Sequence, residues 1–551
     1  MATTLNAQTF QWVNALGGTD IEDGVSIKID ASGNVYTSGT FGGTVDFDPG
    51  AGTFNLTSVG IGDIFVQKMD ATGNFQWAKA FGGINDDVVN DMDIDAAGNL
   101  YLTGNFQGTV DFDPGSGIAN LTATDFYDDI FVQKMDASGN FLWAKAFGGV
   151  EYDGGNSISV DATGNVYTTG YFQETVDFDP GTGNVSLTSA GSSDIFVQKM
   201  NASGDFLWAK AFGGTSSDGG VSICVDASGN VYTAGAFQGI GDFDPGAGNV
   251  SLTSAGSSDI FVQKMSASGF FLWAKAFGGI SSDGGVSICV DASGNVYTTG
   301  YFQGTVDFDP GAGTVNQSSA GSDDIFIHKM DATGNFQWVE AFGGIYSDNA
   351  HYVNVDAVGN IYTAGSFAET VDFDPGTGIA NLSSVGSNDV FIQKIDGSGN
   401  FLWVKAFGGT DFDEANSSSL DASGNIYTTG DFAGTVDFDP GPGTAFLSSI
   451  EYSEDIFVHK MSQNTTGIVE LGNGIQVTAF PNPSNDIIQI SFNNPLTNGA
   501  ILLTNSNGTI VYSRQFDEIS HEQISIEGPS GIYFLTVKTR QVQSVIKLIK
   551  E

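Results

Sequence analysis

The chain is short of several residue types, and each shortage narrows what it can be. Two cysteines, Cys224 and Cys289, are too few for a disulfide framework or a thiolate metal cluster. They sit at equivalent points of consecutive repeats and read as a repeated residue type. Four histidines include no pair at metal-ligand spacing, and no Ser/His/Asp set stands out. His328 and His459 stand where other repeats carry Gln, as at Gln67 and Gln198, so they read as strand substitutions. Bases are the scarcest group: 18 Lys and Arg face 64 Asp and Glu, for a formal net charge of −46. Residues 1–465 hold 57 acids, 13 lysines and no arginine. A surface this negative repels phosphate backbones and anionic headgroups, so nucleic acid and membrane surfaces are poor candidate partners, and neither nucleic-acid binding nor membrane insertion is expected. It leaves cations and basic proteins open, and its plain reading is a solvated surface that keeps an exported protein soluble. No run of 18 apolar residues occurs, so no membrane-inserting helix is expected. The first residues lack a basic stretch followed by an apolar one; Leu5-Asn6-Ala7-Gln8 reads instead as the tail of a cleaved export signal, with Ala7 at the cut.

What the chain does have is repetition. All seven tryptophans fall in one frame, at Trp12, Trp77, Trp143, Trp208, Trp273, Trp338 and Trp403, 65 residues apart with one interval of 66. Asp-Phe-Asp-Pro-Gly keeps the same beat from Asp46 to Asp437, and Asp-Ile/Val-Phe does so from Asp63 to Asp455. Within one repeat four main strands are expected, as in Ile195–Met200, Phe206–Phe212, Val221–Val225 and Val231–Gly235. These segments are short, rich in β-branched and aromatic residues, and bounded by Gly and Asp. The linking Asp-Ala-Ser/Thr-Gly-Asn turns, such as Asp136–Asn140, put Asp where it accepts a backbone N–H two residues on and Gly where positive φ is needed. Many acids are therefore explained by turn geometry.

Four antiparallel strands per unit, seven times over, predict a seven-bladed β-propeller, with an open solenoid as the competitor. The ends of the array favour closure. It begins at Phe10-Gln-Trp12 with the strand that normally follows Asp-Ile-Phe-Val-Gln-Lys-Met, and it finishes at Asp455–Met461 with the strand that normally precedes Trp. Joined, the two pieces complete one blade and leave no large sheet edge. These repeated segments resemble the bacterial seven-bladed β-propeller repeat family over residues 8–461. That resemblance implies a fold and an extracytoplasmic setting, and it carries no catalytic residues over.

Beyond Met461 the beat stops. The expected division is an N-terminal remnant at 1–9, a propeller at 10–461, a linker at 462–470 and a small β-sandwich at 471–551. Phe480-Pro-Asn-Pro-Ser484, the Gly531-Ile-Tyr533 turn and the basic Lys547-Leu-Ile-Lys550 resemble the type A sorting domain of the type IX secretion system of Bacteroidetes. The resemblance implies recognition by that machinery, passage across the outer membrane, removal of the tail, and an extracellular or outer-surface location.

The most chemical-looking feature is the loop pair of acids: Asp46 and Asp48, Asp111 and Asp113, Asp177 and Asp179, Asp242 and Asp244, Asp307 and Asp309, Asp372 and Asp374, and Asp437 and Asp439. Oxygen-rich acidic loops suit Ca²⁺, although no further acid follows at fixed spacing. Asp before Pro-Gly is also a turn former, with the Phe packed inward, and a sugar or peptide contact is the third reading. No cofactor is required. Trp and Phe at fixed repeat positions read as blade packing before a carbohydrate platform. The repeated Lys, as in Lys68 and Lys199, reads as an exposed strand face or a link to the next blade. Two functions remain open. One is a monomeric, non-catalytic binding or adhesion protein meeting an extracellular glycan or protein through rim loops. The alternative is an extracellular glycan-acting enzyme with its site in the propeller channel, which would need residues that break the sevenfold pattern. The breaks noted are Glu340, Phe270 and the segment around Ile240, and they do not converge.

Overall fold

A computed structural model of the chain describes residues 6–450, 453–465, 469–470, 476–480, 487–505, 508–526, 528–529, 531–539 and 543–550, and among these no helix occurs. Two compact units are present: Trp12–Ala422 with Ile426–Lys460, and Met1–Gln11 with Ser423–Asn425 and Met461–Glu551.

The first strand, β1 (Asn6–Leu16), is followed by the first complete blade. It contains β2 (Glu22–Ile29), β3 (Val35–Phe41), the short β4 (Thr44–Asp46) and β5 (Asn55–Thr57), β6 (Asp63–Met69) and β7 (Phe75–Phe81). The sheet order is β2-β3-β6-β7, antiparallel throughout, with Val35 opposite Met69 and Ile64 opposite Phe81. The same four-stranded sheet occurs seven times. In the seventh, Asp413–Leu420, Ile426–Ala433 and Glu454–Thr465 are completed by β1 from the other end of the chain. Its innermost strand also meets β2: the Ile27 N–H donates to Ser417 Oγ at 3.3 Å. The repeats therefore close into a ring, a seven-bladed β-propeller. Middle strands are buried on both faces: β6, Asp-Ile-Phe-Val-Gln-Lys-Met, is buried at six of its seven positions, the polar Asp63 and Gln67 included.

Three details differ from the expectation. Each repeat adds a two-stranded hairpin, β4–β5 in the first, whose loop is the Asp-Phe-Asp-Pro-Gly segment. Three-residue strands carry too little pattern to be read from sequence. The strand β1 begins at Asn6, inside the expected remnant, and the seventh blade's third strand runs to Thr465, inside the expected linker. In the tail, Ile487–Phe492 and Ala500–Leu503 belong to one strand, Ile487–Asn505, irregular between Ser491 and Leu496. The intervening Asn-Asn-Pro-Leu-Thr-Asn-Gly is turn-like in composition. Burial of Leu496, opposite Ile519, overrides that preference.

The tail has its own core of Ile488, Ile490, Ile501, Leu503, Ile524, Leu535 and Val537. The first half of its long strand pairs with Gln476–Phe480 and the second half with Gly531–Thr539, while Ile510–Ser525 pairs along both. Residues 481–484 of the Phe-Pro-Asn-Pro-Ser motif lie outside the described residues, as do residues 1–5 of the N-terminal segment.

Candidate functional site

The fourteen loop acids lie in seven separate hairpins. Asp46 Oδ1 accepts the N–H groups of Asp48 (3.1 Å) and Phe54 (2.7 Å), and Asp48 Oδ1 accepts that of Gly50 (2.9 Å). The same bonds recur at Asp111 and Asp113, Asp177 and Asp179, Asp242 and Asp244, Asp307 and Asp309, Asp372 and Asp374, and Asp437 and Asp439. Each first Asp thus ties the two arms of its loop together. Phe47 and its six equivalents are fully buried, each contributing roughly 2 kcal/mol of apolar burial. A buried Gln holds the loop from below: Gln198 donates to the Phe178 carbonyl at 2.6 Å. His328 and His459 take over that bond at 3.0 Å, to Phe308 and Phe438. Burial pushes the two imidazoles down to about 4 and about 3, so both are neutral at pH 7. Among the described residues, no group of three or more His, Cys, Asp or Glu is placed to hold a metal ion.

Tryptophan and lysine join one blade to the next. Lys134 Nζ and Trp143 Nε1 both donate to the Ala202 carbonyl, in the turn of the following blade, at 3.2 Å each. The Trp143 ring lies under Gly204 of that turn, where a side chain would not fit. Lys134 Nζ also sits 4.7 Å from the Tyr101 ring centroid. The same staple recurs at Lys199 with Trp208 and at Lys264 with Trp273.

The innermost strands line the channel, and there the sevenfold pattern breaks in residues the sequence reading passed over. One row of side chains is Ser26, Asp91, Ser157, Ser222, Ser287, Tyr352 and Ser417. Two residues on stand Lys28, Asp93, Ser159, Cys224, Cys289 and Asn354. Aligning the seven repeats on the strand that precedes each Asp-Ala-Ser-Gly-Asn turn would have exposed these departures. Lys28 Nζ reaches Tyr352 Oη at 3.1 Å, joining the first blade to the sixth. Burial alone would push the Lys28 ammonium down, but Tyr352, Asp91 and Asp93 around it hold it above its ordinary value. The cavity at this level is about 160 Å³. At the next level His351 Nε2 lies 2.6 Å from Glu414 Oε1; burial favours the neutral acid, yet His351 holds Glu414 below its usual range.

These residues are engaged in joining blades. Asp91 Oδ2 accepts from Ser157 Oγ (2.8 Å) and the Ile158 N–H (3.0 Å), and Asp93 Oδ2 accepts the Val160 N–H (2.8 Å). Where the row holds serine, the hydroxyl takes the same part, as Ser157 does for Ile223 and Ser222 for Ile288. Cys224 and Cys289 are free thiols, and burial pushes both up. Glu340, Phe270 and Ile240 lie outside this channel lining.

Outside the ring, one loop position is repeatedly apolar and exposed. The residue after each Gly-Gly, which follows Leu16 in the first copy and Phe in the other six, is Thr19, Ile84, Val150, Thr215, Ile280, Ile345 or Thr410, β-branched in all seven copies. Ile84, Val150, Ile280 and Ile345 are 53–82% exposed. In five blades the loop before Asp-Ile/Val-Phe abuts this position: Gly60 packs on the backbone of Ile84, for example, and Gly256 on that of Ile280. In the first two blades it adds Val59, Ile61 and Phe126, all exposed, and Tyr127 stacks 4.6 Å from Tyr152.

In the tail, Gly531 opens one strand and Lys547–Lys550 closes the last. Residues 478–551 match the secretion system C-terminal sorting domain. This is the domain that marks proteins of the type IX secretion system for export, and the chain is accordingly a secreted or cell-surface protein. The repeats are similar to a WD-repeat-containing protein of Acanthamoeba polyphaga mimivirus, 24% identical over 501 residues, covering 76% of this chain and 36% of that protein. A shorter stretch of 170 residues is 24% identical to the regulatory protein FlaEY of Caulobacter vibrioides, covering 30% of this chain and 17% of that one. The chain thus spans little more than a third of the first relative and about a sixth of the second. Among solved structures, PorZ, a surface component of the type IX secretion system of Porphyromonas gingivalis, aligns over 98% of this chain and 100% of its own at 10% identity and a TM-score of 0.21.

Proposed function

We propose that the propeller is a non-catalytic binding module, displayed or released after the sorting domain has met the secretion machinery, and that it engages a repetitive extracellular glycan or protein. The observation that carries this reading is the exposed β-branched position after Gly-Gly, presented once per blade on an otherwise strongly acidic chain. Repetition of one weak contact around a ring raises overall affinity without any strong single site. In the channel, the side chains with catalytic potential are engaged in joining blades, which favours binding over chemistry.

The test is binding of the labelled full chain to immobilised extracellular polysaccharides and surface proteins of stated composition. A variant with Ile84→Ser, Val150→Ser, Ile280→Ser and Ile345→Ser should lose at least about tenfold in apparent affinity with its thermal midpoint unchanged. Unchanged binding would remove these loops from the reading. Release of reducing ends from any of the polysaccharides, lost on Asp91→Ala, would favour the channel enzyme instead. Calcium at the loop acids is a subordinate proposal: millimolar Ca²⁺ should raise the midpoint, EDTA should reverse it, and Asp46→Asn with its six equivalents should abolish the effect.

A further inference from the structure

Each of the seven blade junctions buries two carboxyl groups around one Gly-Gly pair. In the first, Phe81-Gly82-Gly83 passes between Asp63 of β6 and Asp87 of the next blade. The Gly83 N–H donates to Asp87 Oδ2 at 2.5 Å, and the Gln107 N–H to Oδ1 at 3.3 Å. Asp63 Oδ2 accepts the Val59 N–H at 3.0 Å, while its Oδ1 is pressed against Gly82, buried and without a hydrogen-bond partner. The equivalent pairs are Asp129 with Asp153, Asp194 with Asp218, Asp259 with Asp283, Asp324 with Asp348, Asp389 with Asp413, and Asp455 with Glu22. One acid of each pair faces the other electrostatically. Unpartnered buried oxygens recur on Asp129, Asp194, Asp259, Asp324 and Glu22.

The third junction shows the convergence most directly. A Cβ placed on Gly213 would lie 2.9 Å from Asp218 Oδ2 and 3.0 Å from Asp194 Oδ1. At Gly82, Gly148, Gly278, Gly343 and Gly408 a side chain would collide with the carboxyl itself, which is why the motif requires glycine there. The other charged groups that face the pairs are Asp20, Asp23, Asp86, Asp128, Glu151, Asp323 and Asp411, every one an acid. A buried carboxylate oxygen with no donor is strongly unfavourable, and a second anion beside it makes it worse. Neutralising one member of each pair removes both penalties.

We propose that each blade junction is a proton-binding site, its carboxyl pair holding one proton in mildly acidic solution, so that the closed ring is stabilised there by bound protons. The direction of titration agrees. Burial foremost raises Glu22 to about 8, Asp87, Asp153 and Asp413 to about 7, and Asp194, Asp259, Asp324, Asp389 and Asp455 to about 6, with neighbouring acids adding to it at all of these but Asp389 and Asp455. For acids raised above their unfolded value, the folded state binds more protons than the unfolded one. The stabilisation is complete below pH 4 and is lost as pH rises through 6 to 8.

The full chain, kept in EDTA, is unfolded in urea at pH 5.5 and at pH 8. Unfolding at pH 5.5 should release about one proton per junction, offset by roughly two protons taken up by the two buried histidines. The native protein should show the infrared band of a protonated carboxyl, lost on unfolding and weakened at pH 8. Asp259→Asn, which keeps the shape and removes the titration, should shift the folding equilibrium in its own favour by about tenfold more at pH 8 than at pH 5. No carboxyl band and no proton release in the unaltered chain would overturn the proposal whether or not that variant folds. So would a stability at pH 8 that Ca²⁺ restores and Asp259→Asn abolishes, since a cation would then be the occupant.

Discussion

The junctions between blades and the channel they enclose are built from the same strands, yet one repeats and the other does not. At the junctions every contact is tight. Gly-Gly has no room for a Cβ, Trp lies flat under the next turn, and the loop Phe is fully buried. A departure in one copy disturbs packing with its neighbours, so nearly the same residues return seven times, with Leu16 for Phe and Glu22 for Asp at the closing junction. In the channel, Asp91, Ser157, Ser222, Ser287 and Ser417 share one task, accepting an N–H from the adjoining blade, and serine or aspartate can meet it. Variation is easier there, and it is there that residues occurring once, such as Lys28 and Tyr352, sit.

The sharpest way to break this comparison is to add atoms at a junction. Gly148→Val would drive a branched side chain into the Asp129 carboxyl and should destabilise the propeller by roughly 4 kcal/mol, or prevent folding, as read by urea unfolding. A cost below about 1 kcal/mol would show that the junctions yield as readily as the channel. Removing atoms comes next. Trp208→Ala takes away a half-buried ring and the bond to the Ala267 carbonyl, and about 3 kcal/mol is expected. In the channel, Asp91→Ala leaves the Ile158 N–H without its acceptor, for about 2 kcal/mol. If Asp91→Ala proved costlier than Trp208→Ala, the ranking of junction over channel would fail.

These contrasts also explain what was legible in the amino-acid sequence. Trp, Asp-Phe-Asp-Pro-Gly and Asp-Ile-Phe announce the ring because packing forces them to recur at one interval, and the split blade follows from where the array begins and ends. Turn-forming acids were readable for the same reason: Asp136 bonds the Ser138 N–H two residues on, as the local pattern requires. The paired carboxyls at Asp63 and Asp87 were hidden, because they come from different blades and meet only around a glycine read as a plain turn. Lys28, Asp91 and Tyr352 were missed for the opposite reason. Each occurs once, and a search for repetition passes over single residues. Their convergence depends on ring closure, which brings residues 324 positions apart within hydrogen-bond reach.

The smallest effect tests the same blades through a titration of opposite sign. His328 replaces the usual Gln, keeps its bond to the Phe308 carbonyl, and stacks 4.4 Å from the Phe277 ring centroid. Burial foremost depresses its folded pKa to about 4, below the ordinary imidazole value near 6.5. The unfolded chain therefore binds the extra proton, and the stability associated with neutral His328 is complete above pH 6.5 and is lost as pH falls towards 4. His328→Gln restores the residue found in most repeats and removes that loss. At pH 8 the variant should match the parent within about 0.5 kcal/mol, and at pH 5.5 it should be more stable by about 1.4 kcal/mol. An equal difference at both values would mean that the imidazole is not neutral in the fold. A gain confined to acid would set this site against the junction carboxyls, which are predicted to stabilise the same ring in the acid range where His328 weakens it.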